Sequence, residues 1–241
     1  MPTPGHSTNT TSEKTTRSLA RKVPATLVLE LRRRRLIADE QGRHAWVEEC
    51  PMERVRAAAA AVIICDMWDR HWSKGASLRV EQLAPRIDAF CRHMREAGAL
   101  VVHAPSGTMG AYRTSAARAR IAGWGPFPAP PTMALPPLPV SCDDGGSDTL
   151  DQLAPNTAVW SRQHPAIHID EDRDVITDDG PELAAYLAEQ GRSIVLMTGV
   201  HTNPCCCAVR SASSRSLATG FLPSSSLILQ MQCTTQLTHL T

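Results

Sequence analysis

Residues 193–205 decide the fold of this chain, and they read Ser193-Ile194-Val195-Leu196-Met197-Thr198-Gly199-Val200-His201-Thr202-Asn203-Pro204-Cys205. The apolar run predicts a buried strand, the glycine predicts a tight turn, and the cysteine stands where a helix would begin. A thiol at a helix N-terminus lies in the positive end of the helix dipole, which favours the thiolate. Because α/β folds bind ligands beyond the carboxyl ends of their strands, Cys205 is a candidate nucleophile. The alternative is a cysteine at a helix start that only packs.

A second apolar run ends in an acid, and it reads Ala61-Val62-Ile63-Ile64-Cys65-Asp66-Met67-Trp68-Asp69-Arg70-His71-Trp72. Asp66 is therefore predicted at a strand tip. If the two strands are parallel neighbours, Asp66 comes within reach of Cys205. A carboxylate in that place can take the thiol proton and return it to a leaving group. The alternative is that Asp66 caps the next helix or pairs with Arg70.

The rest of the pattern predicts an α/β fold, with a mainly parallel sheet flanked by helices and preceded by an N-terminal β-hairpin. The hairpin is predicted from residues 27–36 and 45–49 around a turn at 41–43. Core strands are predicted at 62–65, 99–103, 157–160 and 194–198, and helices at 80–97, ended by Gly98, and at 182–190. The run of arginines at 32–35 indicates either an anion site or a solvated strand flank.

Composition limits the classes of function. The chain has 241 residues and a net charge of +1, which suits one α/β domain and does not indicate a nucleic-acid partner. No apolar run approaches the roughly 18 residues that span a bilayer. Residues 1–25 are predicted to form a disordered tail without a signal peptide. The cysteines show no paired C-x-x-C spacing, which predicts reduced thiols and a cytoplasmic location.

Residues 123–156 are rich in proline, glycine and aspartate, and they predict a long loop that serves as a lid or an oligomer arm. The acidic cluster at 143–148 within it is either a cation site or a solvated turn.

Together the segments resemble the isochorismatase-like cysteine hydrolases, the superfamily that includes the nicotinamidases. The resemblance is carried by D-M-W-D-R-H-W at 66–72 and G-V-H-T-N-P-C at 199–205, with V-H-A-P-S at 102–106 and W-S-R-Q-H-P-A-I at 160–167 between them. It covers residues 27–205 and places one hydrolase domain at 26–205. It implies a Rossmann-like three-layer fold.

The resemblance also implies the roles of the site residues. Cys205 would attack, and Asp66 would act as the acid and base. The superfamily places a lysine near these two, but the matching stretch here has none, and Arg162 is the nearest cation. A guanidinium stabilises a thiolate or an oxyanion but does not exchange protons near neutral pH. The alternative for Arg162 is a pair with a surface acid.

Other implied features concern the oxyanion and the pocket. A cis peptide between Val200 and His201 would turn the His201 N–H toward the oxyanion, beside the N–H of Cys205. The predicted pocket residues are Trp68, His71, Trp72 and His103. Alternatively, His71 caps a helix and the two tryptophans belong to the core. Residues 103–110 lack the Asp-x-His spacing of nicotinamidases, so neither a metal nor another cofactor is expected.

The predicted function is hydrolysis of a small molecule, at an amide C–N bond, through a thiol-bound acyl intermediate. A homo-oligomer is expected, without nucleic-acid or membrane partners. The first alternative is a catalytically inactive family member that binds a small ligand or a partner chain. A second is a thiol redox or metal module built on the three cysteines at 205–207.

The composition changes after Cys205. Residues 206–241 contain no Asp, Glu or Lys but seven Ser and five Thr, whereas the first 205 residues hold all 24 acids. If one base was lost immediately after the Cys205 codon, re-reading each codon from the third base of the preceding codon can turn residues 205–213 into C-L-L-C-R-P-F-G-I and residues 229–237 into L-T-D-A-M-Y-N-P-A. Both strings resemble the superfamily subgroup. The hypothesis is therefore that 206–241 is an out-of-frame, non-native tail, which the nucleotide sequence checks directly.

Overall fold

The computed structural model describes residues 25–125, 153 and 157–200, together with the backbone of 227–230. The predictions for the N-terminal tail, for most of the loop at 123–156 and for the acidic cluster at 143–148 lie outside the described residues. So do those for His201, for Cys205 and, apart from 227–230, for the segment after it.

The predicted N-terminal hairpin is confirmed, and it is longer than expected. Its tip pairs β2 (Arg33–Ala38) with β3 (His44–Glu49), and its base pairs β1 (Thr26–Glu30) with β4 (Met52–Arg56), both antiparallel. Gly42 turns the tip with a φ of 75°, a conformation that glycine adopts without steric cost.

The arginine run lies on the flank of this hairpin. Arg32 pairs with Glu48 at 2.8 Å, and Arg33 and Arg35 pair with Glu49 at 2.8 and 3.2 Å. All of the arginines are largely exposed, and exposed pairs contribute little to stability. Since acids of the facing strand already neutralise the run, it is a solvated strand flank.

The central sheet has five strands, and each pair of neighbours in it is parallel. Its order is β7 (Val175–Ile176), β6 (Leu100–Ala104), β5 (Ala60–Cys65), β8 (Ile194–Gly199) and β9 (Leu227–Gln230). β5 is buried along its whole length, as expected for a parallel strand covered on both faces. The outer strand β9 comes from the segment interpreted as out of frame, and it still pairs with β8.

One helix covers each face of the sheet. The helix α1 (Lys74–Ala97) packs Val80, Ile87 and Met94 against one face. Beyond the short α2 (Ala116–Ala119), α3 (Gly180–Glu189) packs Leu183 and Leu187 against the other face. The architecture is therefore a three-layer α/β arrangement with a parallel sheet. Within the part of the chain that is described, no helix has both the length and the apolar character needed to cross a bilayer.

The helix α1 begins six residues earlier than the apolar pattern predicted. Ser73 is its N-cap, and the Ser73 Oγ accepts a hydrogen bond from the Ala76 N–H at 3.3 Å. The predicted end at Gly98 is confirmed, with a left-handed φ of 99°. Because the cap of this helix is Ser73, Asp66 does not have the capping role that was its alternative.

The predicted strand at 157–160 is wrong. That segment is irregular, and the sheet edge is instead the two-residue strand β7. Trp160 stacks on the Trp68 ring, and the Ser161 N–H donates to the Asp69 carboxylate. These contacts, and not hydrogen bonds to a neighbouring strand, hold the segment in place. A two-residue apolar pair beside Asp174 is too short to stand out as a strand in the sequence.

Candidate functional site

The candidate site begins where three strands end at one level. Cys65, the last residue of β5, is in register with Ala104 of β6 on one side and with Gly199 of β8 on the other. Asp66 follows directly and is 8 % exposed. Asp66 therefore lies at a strand tip, as the sequence predicted. Ligands of parallel α/β sheets bind beyond these tips, so the position is suited to a functional residue.

The backbone of Asp66 is unusual. Its φ is 50°, and it is the one non-glycine residue with a positive φ in the described chain. Its N–H donates to the Ala104 carbonyl at 3.2 Å, and its carboxylate accepts from the Ser106 N–H at 3.1 Å. Such conformations cost about 1–3 kcal/mol and concentrate at functional sites. The turn therefore fixes the carboxylate at the junction of β5 and β6.

Gly199 lies opposite this turn. Its φ is 138°, and a Cβ atom added there would lie 2.0 Å from the Cys65 carbonyl oxygen. Only glycine lets the two chains approach so closely. The chain therefore leaves β8 beside Asp66, with Val200 buried at 8 % exposure.

Cys205 and His201 lie beyond the described residues, so the approach of the thiol to Asp66 stays a prediction. Cys205 is five residues after Val200, and a connection of that length reaches at most about 17 Å when extended. The register of β8 thus brings the chain to the correct sheet edge, and the length of the connection permits the contact. The oxyanion role of the His201 and Cys205 N–H groups likewise stays a prediction.

Four rings form an aromatic cluster at this edge: Trp68, His71, Trp72 and Trp160. Trp68 and Trp160 stack with centroids 4.5 Å apart, and the His71 ring lies 5.7 Å from each of them at angles of 13–18°. Trp72 is 5 % exposed and contacts His71 at 4.9 Å, whereas the other three rings are half-buried. Trp72 is therefore mainly a core residue, and the other three present a partly accessible flat surface.

His71 also organises the entry into α1. Its Nδ1 accepts a hydrogen bond from the Ser73 N–H at 3.0 Å, and its own N–H donates to the Ser77 Oγ at 3.1 Å. His71 therefore belongs to the aromatic cluster and accepts a hydrogen bond in the turn before α1, whose N-cap is Ser73, while its predicted place in a substrate pocket stays a prediction.

Backbone hydrogen bonds connect the loop after β5 to the segment that carries Arg162. The His164 N–H donates to the Met67 carbonyl at 2.7 Å, and the Asp69 N–H donates to the Arg162 carbonyl at 3.0 Å. Asp69 accepts from both the N–H and the hydroxyl of Ser161, at 2.9 and 2.5 Å. Burial acts to raise the pKa of Asp69, but the bonds from Ser161 outweigh it and lower that pKa.

Arg162 belongs to this joined unit through its backbone, while its side chain is exposed. Burial raises the pKa of Tyr112, and the Gln163 N–H and the positive charge of Arg162 partly oppose that rise. The structure thus brings Arg162 onto the same edge as the aromatic cluster. Among the described residues, no carboxylate forms an ion pair with the Arg162 guanidinium. The alternative that Arg162 pairs with a surface acid is therefore not supported by the described residues.

His103 lies inside the fold and away from any accessible surface. Its side chain is fully buried, its Nδ1 lies 2.8 Å from Gln163 Oε1, and its Nε2 lies 3.0 Å from Asp174 Oδ2. Arg95 donates to the same carboxylate at 2.6 Å. Burial acts to raise the pKa of Asp174, but the bonds from His103 and Arg95 outweigh it and lower that pKa. His103 therefore anchors the segment that carries Gln163.

Sequence reasoning missed three residues of this site: Asp69, Trp160 and Gln163. All three stand in the two motifs quoted above, but nothing in a linear pattern shows that the motifs pair with each other. The pairing is a single antiparallel bridge, Trp68 to Gln163, between loops far apart in the chain. Within the described residues, no group of three or more His, Cys, Asp or Glu side chains is arranged to hold a metal ion.

No known protein-family profile matches the chain. A comparison with curated proteins also gives no match.

Proposed function

We propose that the chain is a cysteine hydrolase of the isochorismatase-like superfamily that cleaves an amide C–N bond of a small molecule. The observation that carries the proposal is Asp66, a buried carboxylate on a strained turn beside the end of the strand that leads to Cys205. Buried carboxylates in strained turns are costly, which favours a functional reason for this one.

In the proposed first step, the Cys205 sulfur attacks the substrate carbonyl while Asp66 takes the thiol proton. The N–H groups of His201 and Cys205 hold the resulting oxyanion. As the C–N bond breaks, Asp66 returns the proton to the leaving amine and an acyl thioester is left. Water then attacks the thioester, Asp66 takes a proton from it, and the thiol leaves with that proton. No metal or redox partner takes part in this sequence.

The surroundings of Asp66 support this division of roles. Both carboxylate oxygens of Asp69 accept hydrogen bonds from Ser161, and its lowered pKa favours the charged form. Asp69 therefore holds two loops together, and Asp66 is the carboxylate left for acid–base chemistry. Trp68, His71 and Trp160 supply a flat wall against which a planar amide can lie. Arg162 supplies positive charge on the same edge. A second candidate is an inactive binder of a small ligand, which the missing lysine at 160–167 favours.

The test is a panel of small amides assayed with the full chain and with Cys205→Ala and Asp66→Asn. Cys205→Ala should abolish turnover, and Asp66→Asn should lower kcat about 10²–10⁴-fold, since that is the usual contribution of a general acid or base. Asp172→Asn, at an exposed acid remote from the strand tips, is the matched control and should leave kcat unchanged.

Iodoacetamide labelling near pH 7, read by peptide mass spectrometry, separates the two candidates. A hydrolase should show Cys205 alkylated faster than exposed Cys50. Slow labelling of Cys205, with ligand binding unchanged in Cys205→Ala, would support the inactive binder. Full turnover in Cys205→Ala would refute the proposed mechanism.

A further inference from the structure

A tight turn at residues 105–108 follows β6 and contacts the aromatic cluster. It reads Pro105-Ser106-Gly107-Thr108, and Gly107 has a φ of 73°. A positive φ at the third residue is typical of a type II turn, and glycine adopts it without steric cost. The Thr108 hydroxyl donates to the Pro105 carbonyl at 2.6 Å, which closes the turn. The central peptide group of this turn is the one between Ser106 and Gly107.

Both ends of the central peptide group are hydrogen-bonded. The Trp68 indole N–H donates to the Ser106 carbonyl at 3.1 Å. At the other end, the Gly107 N–H donates to the Asp178 carboxylate at 2.9 Å. Trp68 belongs to the flat wall described above, whereas Asp178 lies in the connection between β7 and α3. The turn thus connects a ring of the proposed site to a carboxylate on a different segment of the chain.

These two partners select one orientation of the central peptide group. Type I and type II turns differ by a rotation of that group through roughly 180°. After the rotation, the Ser106 carbonyl would face the Asp178 carboxylate, which is also an acceptor. The Gly107 N–H would face the Trp68 N–H, which is also a donor. Since glycine permits both orientations, the choice between them depends on Trp68 and Asp178.

Asp178 is held in place by its neighbours and does not itself cap α3. The cap is Asp179, whose carboxylate accepts from the Glu182 N–H at 2.8 Å. The Asp179 N–H donates to Thr177 Oγ1 at 3.1 Å, and the Thr177 N–H donates to the β6 backbone at 3.0 Å. The backbone is therefore fixed on both sides of Asp178. The cap of α3 does not require an acid at position 178, whereas the bond to Gly107 requires an acceptor there.

The turn contacts the wall and Asp66 through different groups. The Ser106 N–H, which donates to the Asp66 carboxylate at 3.1 Å, belongs to the preceding peptide group. Rotation of the central peptide group leaves that bond in place. The wall depends on the central group itself, through the bond from Trp68. Gly107 also lies beneath the second indole, since a Cβ added to it would be 3.5 Å from Trp160 Nε1. The orientation of the turn therefore affects the wall more than the carboxylate.

We propose that Asp178 is a positioning residue for substrate binding, which holds the central peptide group in the orientation that accepts the Trp68 indole N–H and so fixes the plane of the wall. This inference rests on the proposed function, in which a planar amide lies on that wall. A flat wall contacts the substrate equally in the ground state and in the transition state. Asp178 therefore contributes to KM and not to kcat.

The first test does not depend on activity. It follows the Trp68 indole N–H in ¹H–¹⁵N NMR spectra of the full chain, with the signal identified by its loss in Trp68→Phe. Asp178→Leu removes the acceptor, so the signal should shift and exchange with solvent about twofold to tenfold faster, as expected for the loss of one hydrogen bond. Asp172→Leu, at another exposed acid, is the control and should change neither property.

The conservative variant Asp178→Asn separates positioning from charge. It keeps an acceptor oxygen for the Gly107 N–H, so the indole signal should stay as in the natural chain. An effect of the Asp178 charge on the dipole of α3 would instead be lost in this variant. An indole signal that Asp178→Leu leaves unchanged, or that Asp178→Asn moves as far as Asp178→Leu does, would overturn the proposal.

The second test is steady-state kinetics on an amide that the natural chain hydrolyses. In Asp178→Leu, KM should rise about twofold to tenfold while kcat stays within about twofold, and Asp178→Asn should restore KM. A fall in kcat as large as the rise in KM would place Asp178 with Asp66 in the acid–base step and refute its role at the wall. If no chain hydrolyses any amide of the panel, the proposed function fails, and the indole signal still decides whether Asp178 holds the peptide group.

Discussion

Replacing Gly199 by alanine should prevent the central sheet from closing and leave the chain largely unfolded. The added Cβ would lie 2.0 Å from the Cys65 carbonyl oxygen, and it would meet backbone atoms and not a side chain that can move aside. The φ of 138° adds a second penalty for any side chain. Relief requires β5 and β8 to separate at the candidate site, so we expect a loss above about 4 kcal/mol, in the range of diagnostic core lesions.

Urea unfolding followed by circular dichroism measures this loss. Gly98→Ala is the matched control, because Gly98 has a φ of 99° but open space where its Cβ would stand. It should lose only about 1–2 kcal/mol, from the left-handed backbone alone. If Gly199→Ala costs no more than Gly98→Ala, the close approach of the two strands is not the reason for glycine at position 199.

Replacing Asp174 by alanine should destabilise the fold by about 3–5 kcal/mol, the usual cost of breaking one side of a buried ion pair. The Asp174 carboxylate is fully buried and accepts from Arg95, His103 and the Asp170 N–H at 2.6, 3.0 and 2.8 Å. Its removal leaves the Arg95 guanidinium buried without its counter-charge. Arg43→Ala, which breaks an exposed pair with Asp39, is the control and should leave the free energy of unfolding nearly unchanged.

Acid should weaken the same network. The pKa of Asp174 is lowered below its ordinary value of 3.8, so its stabilising contribution is complete above that value and is lost as the pH falls through the lower, folded value. Urea midpoints measured from pH 6 to pH 2 should therefore fall less steeply below about pH 4 in Asp174→Asn than in the natural chain. Parallel slopes for the two chains would show that Asp174 does not contribute to acid unfolding.

The strands and helices that could be predicted from the sequence are those with a strong period or a clear stop. The apolar runs that became β5, β6 and β8 were found within two residues at each end, and Gly98 was identified as the end of α1. The start of α1 was placed too late because its first turn is polar, and the cap at Ser73 holds it there. The strand predicted at 157–160 failed because loops can resemble short strands when tertiary contacts are ignored.

The candidate site, like the fold, has features that could be predicted from the sequence and features that could not. Asp66 could be placed at a strand tip from its position after an apolar run, and the register of β5 with β8 agrees with that placement. Trp160 and Asp69 gave no sign of their contacts with Trp68 and Ser161, since those contacts join segments about 90 residues apart.

The amino-acid sequence by itself determined the order of the elements and the positions of Asp66 and Gly199, because apolar period and glycine punctuation are local properties. Only the tertiary structure decided that Gly199 lies against Cys65, the residue before Asp66, that the aromatic cluster assembles from two loops, and that His103 is buried with Asp174. Those outcomes depend on the order of the strands and on the pairing of buried charged groups. Both involve residues that are distant in the chain, so no local periodicity in the sequence predicts them.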